Sequence, residues 1–302
     1  MLDQYVEDLE EVKSIVGEKT LSEYIRRTSS GADEKAKLGQ LMAACVNTVP
    51  RHRVVERAVT VIRDCLKIRN VLAIEEILDD HYFPENLVRE LEMHSFMSVV
   101  GSDNKGSTII SVDLTSFSPA GFANCWRMGM REIPEGFRGH SDFDDPNVVN
   151  YCSLWYVRMM EWIHRHRFEA YKAGETGEPR VVMVVNIDGA GLSTFSPELR
   201  AFLKGIKGLG EYLFPEICDY IVACNVPWIA DKLWPVVRLV LPAATASKVC
   251  MYDRNRTKTV LKDLIKLDEL PPALGGQYQP ERRFKHRIEH VEGKNDEEFR
   301  QI

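Results

Sequence analysis

The stretch Phe214–Lys248, FPEICDYIVACNVPWIADKLWPVVRLVLPAATASK, decides the fold. It opens at a Pro215-Glu216 corner. A short apolar run follows, Ile221-Val222-Ala223-Cys224, and stops at Asn225. Its length and composition predict a buried strand. After Val226-Pro227 comes Trp228–Leu241, apolar on nearly every side, with Asp231, Lys232 and Arg238 as its charges. A helix that is hydrophobic all round is buried or faces lipid. About 14 residues fall short of the roughly 20 needed to span a bilayer. Pro235 removes a backbone bond or forces a kink, which argues against a rigid interior element. Pro242 closes the stretch, Thr245-Ala246-Ser247-Lys248 opens the next one, and Val249–Tyr252 reads as a further short strand.

Upstream, Ser196-Pro197-Glu198 is a helix start, with Ser196 as N-cap and Pro197 in the first turn. Leu199, Phe202, Leu203, Ile206, Leu209 and Leu213 then share one face of that helix. Before it stands Val181–Ile187, a nearly continuous β-branched run of the kind found in central strands covered on both faces. Val149–Tyr171 is amphipathic at helical spacing, through Leu154, Val157, Met160, Ile163 and Phe168. Met97–Val100 and Thr108–Val112 read as two strands joined by the polar turn Ser102–Gly106. Residues 1–80 read as helical and charged. Tyr5, Leu9, Val12 and Val16 recur with the helical period, and a further helix runs from Asp33 through Leu38, Leu41 and Cys45 to Pro50. Val55–Leu91 continues helical, and Leu261–Leu267 forms one more helix downstream. The order is helices, a strand pair, then β-α-β-α-β, which is an α/β domain behind a helical one.

With 302 residues, 44% hydrophobic and 28% charged, the chain has ordinary globular composition. A net charge of −6 gives no basic signature for nucleic acid. Seven scattered cysteines without a C-x-x-C pair argue against a disulfide framework or zinc site, and for a reducing compartment. The acidic start, MLDQYVEDLEEVK, has no signal-peptide h-region, and no apolar run reaches 18 residues, so any membrane contact is expected to be peripheral.

Read with LPPALGG at Leu270–Gly276, the central stretch resembles the CRAL-TRIO lipid-binding domain family, of the phosphatidylinositol/phosphatidylcholine transfer type. That family combines a Tyr-Pro-Glu corner, a strand ending in Asn-x-Pro, a gate helix, a Thr-x-x-Lys and a late Leu-Pro-x-x-x-Gly-Gly. Here these parts read Phe214-Pro215-Glu216, Asn225-Val226-Pro227, Trp228–Leu241, Thr245–Lys248 and Leu270–Gly276, in matching order over about sixty residues. The resemblance implies an N-terminal helical unit over 1–85 and an α/β domain over 86–276, with a polar tail over 277–302. In it a mixed sheet floors an apolar lipid cavity, and a gate helix carrying Trp228, Leu233, Trp234 and Val237 closes it. It departs from the family at Gly106-Ser107-Thr108-Ile109, where the family has Gly-Arg-Pro-Val.

Glu216 and Lys248 each precede an expected strand, so both could meet one polar ligand at the same sheet edge. An ordinary salt bridge is the plainer reading. The resemblance implies that Glu216, Thr245 and Lys248 contact an inositol phosphate headgroup. The chemistry suits such a headgroup, with a point charge and a hydroxyl donor for phosphate, and a carboxylate acceptor for inositol hydroxyls. Where the family has an arginine-rich turn in its helical unit, this chain has Thr28-Ser29-Ser30. Arg26 and Arg27 are its nearest basic substitutes.

The implied function is to bind one lipid, phosphatidylinositol or also phosphatidylcholine. The lipid would be exchanged between membranes, or presented to lipid-modifying enzymes. No cofactor beyond the phospholipid, no metal and no catalysis are expected, with a cytoplasmic location and transient membrane contact. A tocopherol- or retinoid-type carrier and a ligand-free protein scaffold are the alternatives. A dinucleotide enzyme is more remote. Asp188-Gly189-Ala190-Gly191 follows a strand, but Thr194 stands where G-x-G-x-x-G needs its last glycine. His164 and His166 are expected to be exposed on their helix, and Ser193 lacks a G-x-S-x-G elbow.

Overall fold

The computed structural model describes residues 5–28, 34–172, 180–215, 217–227, 234–235, 238 and 243–278. Five strands form one sheet in sequential order: β1 Met97–Ser102, β2 Thr108–Asp113, β3 Val181–Asn186, β4 Cys218–Cys224 and β5 Val249–Met251. β1 runs antiparallel to β2, and the others are parallel. The sheet is therefore mixed, as expected. The register aligns Ile110, Met183 and Ile221 across the three central strands.

Side chains alternate across a strand, and here the two faces are treated differently. Val182, Val184, Val222 and Cys224 point to a closed core with Leu261, Ile265, Leu270 and Leu274. Met183 and Val185 point the other way and stay half-buried.

The N-terminal third is helical: α1 Val6–Val16, α2 Glu18–Thr28, α3 Glu34–Thr48, α4 Val54–Val71 and α5 Glu85–Met93. Within the domain come α6 Pro119–Met128, α7 Pro146–Val149, α8 Tyr151–Lys172, α9 Pro197–Leu213, α10 Ala243–Ala246 and α11 Arg254–Leu264. α9 starts as its sequence dictates. The Ser196 side chain accepts from Leu199 N–H at 3.2 Å, and Pro197 occupies the first position. Its buried face includes Leu199, Phe202, Leu209 and Leu213. Gly205 lets α9 lie against α7, since a Cβ there would stand 2.4 Å from the Asn147 carbonyl oxygen.

Three expectations need correction. The last helix begins at Arg254 rather than Leu261, because Asp253 caps it by accepting from the Asn255 and Arg256 amides. It ends at Leu264, and Ile265 instead bridges to Asp103. His164 is buried, not exposed, because α8 is covered by the N-terminal helices. Burial, helped by Lys37, Arg69 and Arg165, pulls its pKa well below the ordinary histidine value. α6 is absent from the periodicity reading, although Ser118 and Pro119 start it as Ser196 and Pro197 start α9.

The N-terminal helices share one hydrophobic core with α8 and α9. A buried ion pair also links them: Arg69 of α4 meets Glu161 of α8 at 2.7 Å, each side chain 2% exposed. Glu75 joins this network through Arg27 and Arg69. Burial pushes the Glu75 carboxyl up, but bonds from both arginines outweigh it and hold the group down at about 2. Lys37 lies buried beside them, and burial pulls its ammonium down to about 8.

Candidate lipid-binding site

Between the open face of the sheet and helices α3, α4, α8 and α9 lies a cavity of about 790 Å³. That volume falls in the range of roughly 300–1,000 Å³ for small-molecule sites. Met97, Val112, Met183, Val185, Ile221 and Ala223 form its floor. Phe202, Leu203 and Ile206 of α9 form one wall, with Cys45 and Val49 from the α3 end opposite. The half-exposure of Met183 and Val185 is explained by this space: they pack at the edge of the main core and border the apolar cavity.

The polar end is built by the Thr-x-x-Lys turn. Lys248 N–H donates to the Thr245 carbonyl at 3.0 Å, which closes the turn. Ile221 N–H then donates to the Lys248 carbonyl at 3.0 Å and ties the turn to β4. Thr245 and Lys248 both line the cavity and are both half-buried. The Lys248 ammonium donates to the Cys218 carbonyl at 2.7 Å, at the first residue of β4. Glu216 lies outside the described residues, as do Trp228, Leu233 and Val237. Trp234 is described, is half-buried and lines the cavity.

Asn225 and the Gly-Gly motif hold the frame. Asn225 sits at φ 56°, a left-handed position that asparagine tolerates better than most residues. Its side chain donates to Asn186 Oδ1 at 2.9 Å, and its N–H to Thr257 Oγ1 at 2.9 Å. These bonds pin the end of β4 to β3 and α11. Gly275 takes φ 87°, and a Cβ on Gly276 would stand 1.8 Å from the Leu270 carbonyl oxygen. The motif therefore folds back on itself and packs Leu270 and Leu274 onto the closed face.

Arg26 and Arg27 are not among the described lining residues. Arg26 is exposed. Arg27 commits its guanidinium to Glu75 at 2.6 Å and Asn70 at 2.6 Å. Among the described residues, the N-terminal cations that do line the cavity are Arg53 and Arg57. Arg57 donates to Tyr212 Oη at 3.3 Å and Glu211 at 3.4 Å, and its guanidinium lies over the Tyr212 ring, 5.0 Å from the centroid. Sequence reasoning missed this group. The basic run Arg51-His52-Arg53 after Pro50 was its only local signal.

The Asp188–Gly191 turn has no amide array aimed at a phosphate. Gly191 N–H donates to Thr194 Oγ1 at 3.1 Å, Ala190 N–H donates to the Ile187 carbonyl at 3.1 Å, and Asp188 pairs with Arg254. His166 stacks on Trp162 with centroids 4.5 Å apart. Among the described residues no group of three or more His, Cys, Asp or Glu is arranged to hold a metal. Among them, too, no helix is long and apolar enough to cross a membrane.

The chain is similar in fold to the crystal structure of Sfh5, with a TM-score of 0.51 at 12% identity, over 85% of this chain and 84% of that one. The family model for the CRAL/TRIO domain matches residues 92–276, from α5 through the Gly-Gly motif. The cavity is accordingly a site for a lipid or other hydrophobic ligand. The match covers more than half of the chain, which belongs to the CRAL/TRIO domain family.

Proposed function

We propose that the chain binds one phospholipid, phosphatidylinositol in the first place, and exchanges it with membranes or presents it to lipid-modifying enzymes. The observation that carries this reading is one apolar cavity with Thr245 and Lys248 together at its polar end. Burying roughly 30 acyl methylenes is worth about 0.8 kcal/mol each against water. A bilayer offers nearly the same, so acyl burial cancels in exchange. Discrimination then falls to a few polar contacts, each charge-assisted bond contributing about 1.5–3 kcal/mol. Lys248 supplies such a bond to a phosphate, and Thr245 a hydroxyl. Phosphatidylcholine lacks the inositol hydroxyls that Glu216 would read and is the second ligand in this proposal.

In this reading the chain carries its ligand and does not convert it. All seven cysteines are free thiols, which fits a reducing compartment such as the cytoplasm. Membrane contact is transient and made around Trp234. Vesicle-to-vesicle transfer of labelled phosphatidylinositol and phosphatidylcholine tests the proposal. Lys248→Ala should lower phosphatidylinositol affinity roughly 10- to 150-fold and leave phosphatidylcholine transfer, where present, largely intact. Unchanged phosphatidylinositol transfer by a folded Lys248→Ala variant would refute the headgroup role.

A further inference from the structure

Most charged side chains that line the cavity already bond to protein. Arg53 pairs with Glu56, Arg57 with Glu211, and Lys248 with the Cys218 carbonyl. Tyr156 differs. α8 brings it to the cavity wall, where its ring meets Phe202 edge-on, centroids 6.4 Å apart. Its hydroxyl has no hydrogen-bond partner among the described residues.

The residue is half-buried and lines the cavity. What it exposes, it exposes to the cavity. Burial pushes its pKa well up, so the hydroxyl stays protonated. Cys218, whose carbonyl holds the Lys248 ammonium, acts on it. The result is a neutral donor and acceptor facing an apolar space.

Once a ligand fills the cavity and excludes water, a hydroxyl left without a partner carries its full desolvation penalty. A hydrocarbon ligand would leave that penalty in place. An anionic ligand group is served better by the Lys248 ammonium than by a neutral phenol. A neutral oxygen satisfies the hydroxyl without bringing charge.

We propose that Tyr156 Oη is a subsite for a neutral oxygen in the apolar body of the ligand, an ester carbonyl or a hydroxyl, and so selects which hydrophobic molecules the cavity retains. This rests on the cavity being a lipid site. It adds a contact separate from the charged end at Thr245 and Lys248, because it reads the body of the ligand and not its headgroup. Nearby Met160 and Met183 are unbranched and adapt to different ligand shapes around that fixed point.

Tyr156→Phe removes one oxygen and keeps the ring, which makes it the test. Binding to wild type and variant is measured for two pairs of probes. The first pair is diester phosphatidylinositol and its diether analogue, which lacks the carbonyls. The second is cholesterol and 5α-cholestane, which lacks the hydroxyl. Circular dichroism checks folding. Wild type should prefer the oxygenated member of a pair it binds by roughly three- to tenfold, and Tyr156→Phe should bring the ratio to about one. Loss of the preference in the first pair assigns an ester carbonyl, and in the second a hydroxyl. A preference that survives in Tyr156→Phe, or none in wild type for a pair it binds, overturns the subsite while leaving the lipid reading intact. No binding of any probe by wild type overturns both.

Discussion

The two faces of the sheet are made from the same strands and do opposite work. On one, Val182 and Val184 are fully buried against Leu261, Leu270 and Leu274. On the other, Met183 and Val185 floor a cavity of about 790 Å³. A single β-branched run thus serves a packed core and an unfilled one, because its period of two sends neighbours to opposite sides. The closed face is held by α11 and by the fold-back at Gly275-Gly276. The open face is roofed by helices that stand away from the sheet. Stability should therefore reside mainly in the first, and ligand choice in the second.

The sharpest way to break this contrast is to truncate one residue on each face. Leu261→Ala should cost about 2–5 kcal/mol, as large-to-small core changes do. Met183→Ala, measured on ligand-free protein, should cost under about 1 kcal/mol, because its side chain already borders empty space. Equal losses in denaturant unfolding would mean that the open face is ordinary core.

A second contrast lies in the N-terminal helical region, where buried charge replaces buried apolar surface. Lys37 is enclosed, and its ammonium is held down at about 8 from a usual 10.5. Below pH 8 it is charged in both states and carries the full burial penalty. Stability should then rise as pH climbs from 8 toward 10.5, where the unfolded chain holds the proton and the folded one does not. Lys37→Met should stabilise the protein at pH 7 by on the order of 3 kcal/mol and remove that alkaline rise. No gain at pH 7 would mean that Lys37 is compensated in place.

Glu75 works with the opposite sign. Its pKa lies at about 2, below a usual 4.5, so its contribution is complete above pH 4.5 and lost as pH falls toward 2. Glu75→Gln should flatten this part of the acid limb in thermal unfolding. A limb unchanged by the substitution would place the acid sensitivity elsewhere. A smaller effect still is expected for Trp234→Ala. It should slow lipid transfer severalfold with little change in Tm, whereas a large fall in Tm would make Trp234 plain core.

The sheet was legible in the sequence because its signals are local. Val181–Ile187 and Ile221–Cys224 announce strands by composition, and Ser196-Pro197 announces a helix by a cap that needs no distant partner. The motif order from Phe214 to Gly276 carried the family, and Thr245 and Lys248 were named from it. What escaped reading depends on long-range packing. Arg57 meets Tyr212 and Glu211 more than 150 residues away. His164 looks like an exposed helical residue until the N-terminal helices cover it. Arg26 and Arg27 looked available for a ligand, yet Arg27 is held by Glu75 and Asn70, neither adjacent in sequence. Tyr156 gave no signal at all, since a tyrosine on an amphipathic helix reads as core.

The central claim is that the open face holds one lipid. Native mass spectrometry after incubation with mixed vesicles tests it most directly, on wild type and on Met183→Trp, whose indole would fill the cavity floor. The account predicts one phospholipid per wild-type chain, enriched in phosphatidylinositol over its share of the vesicles, and a bare, folded Met183→Trp chain. A bare wild-type chain, or equal lipid loading of both proteins, would contradict it.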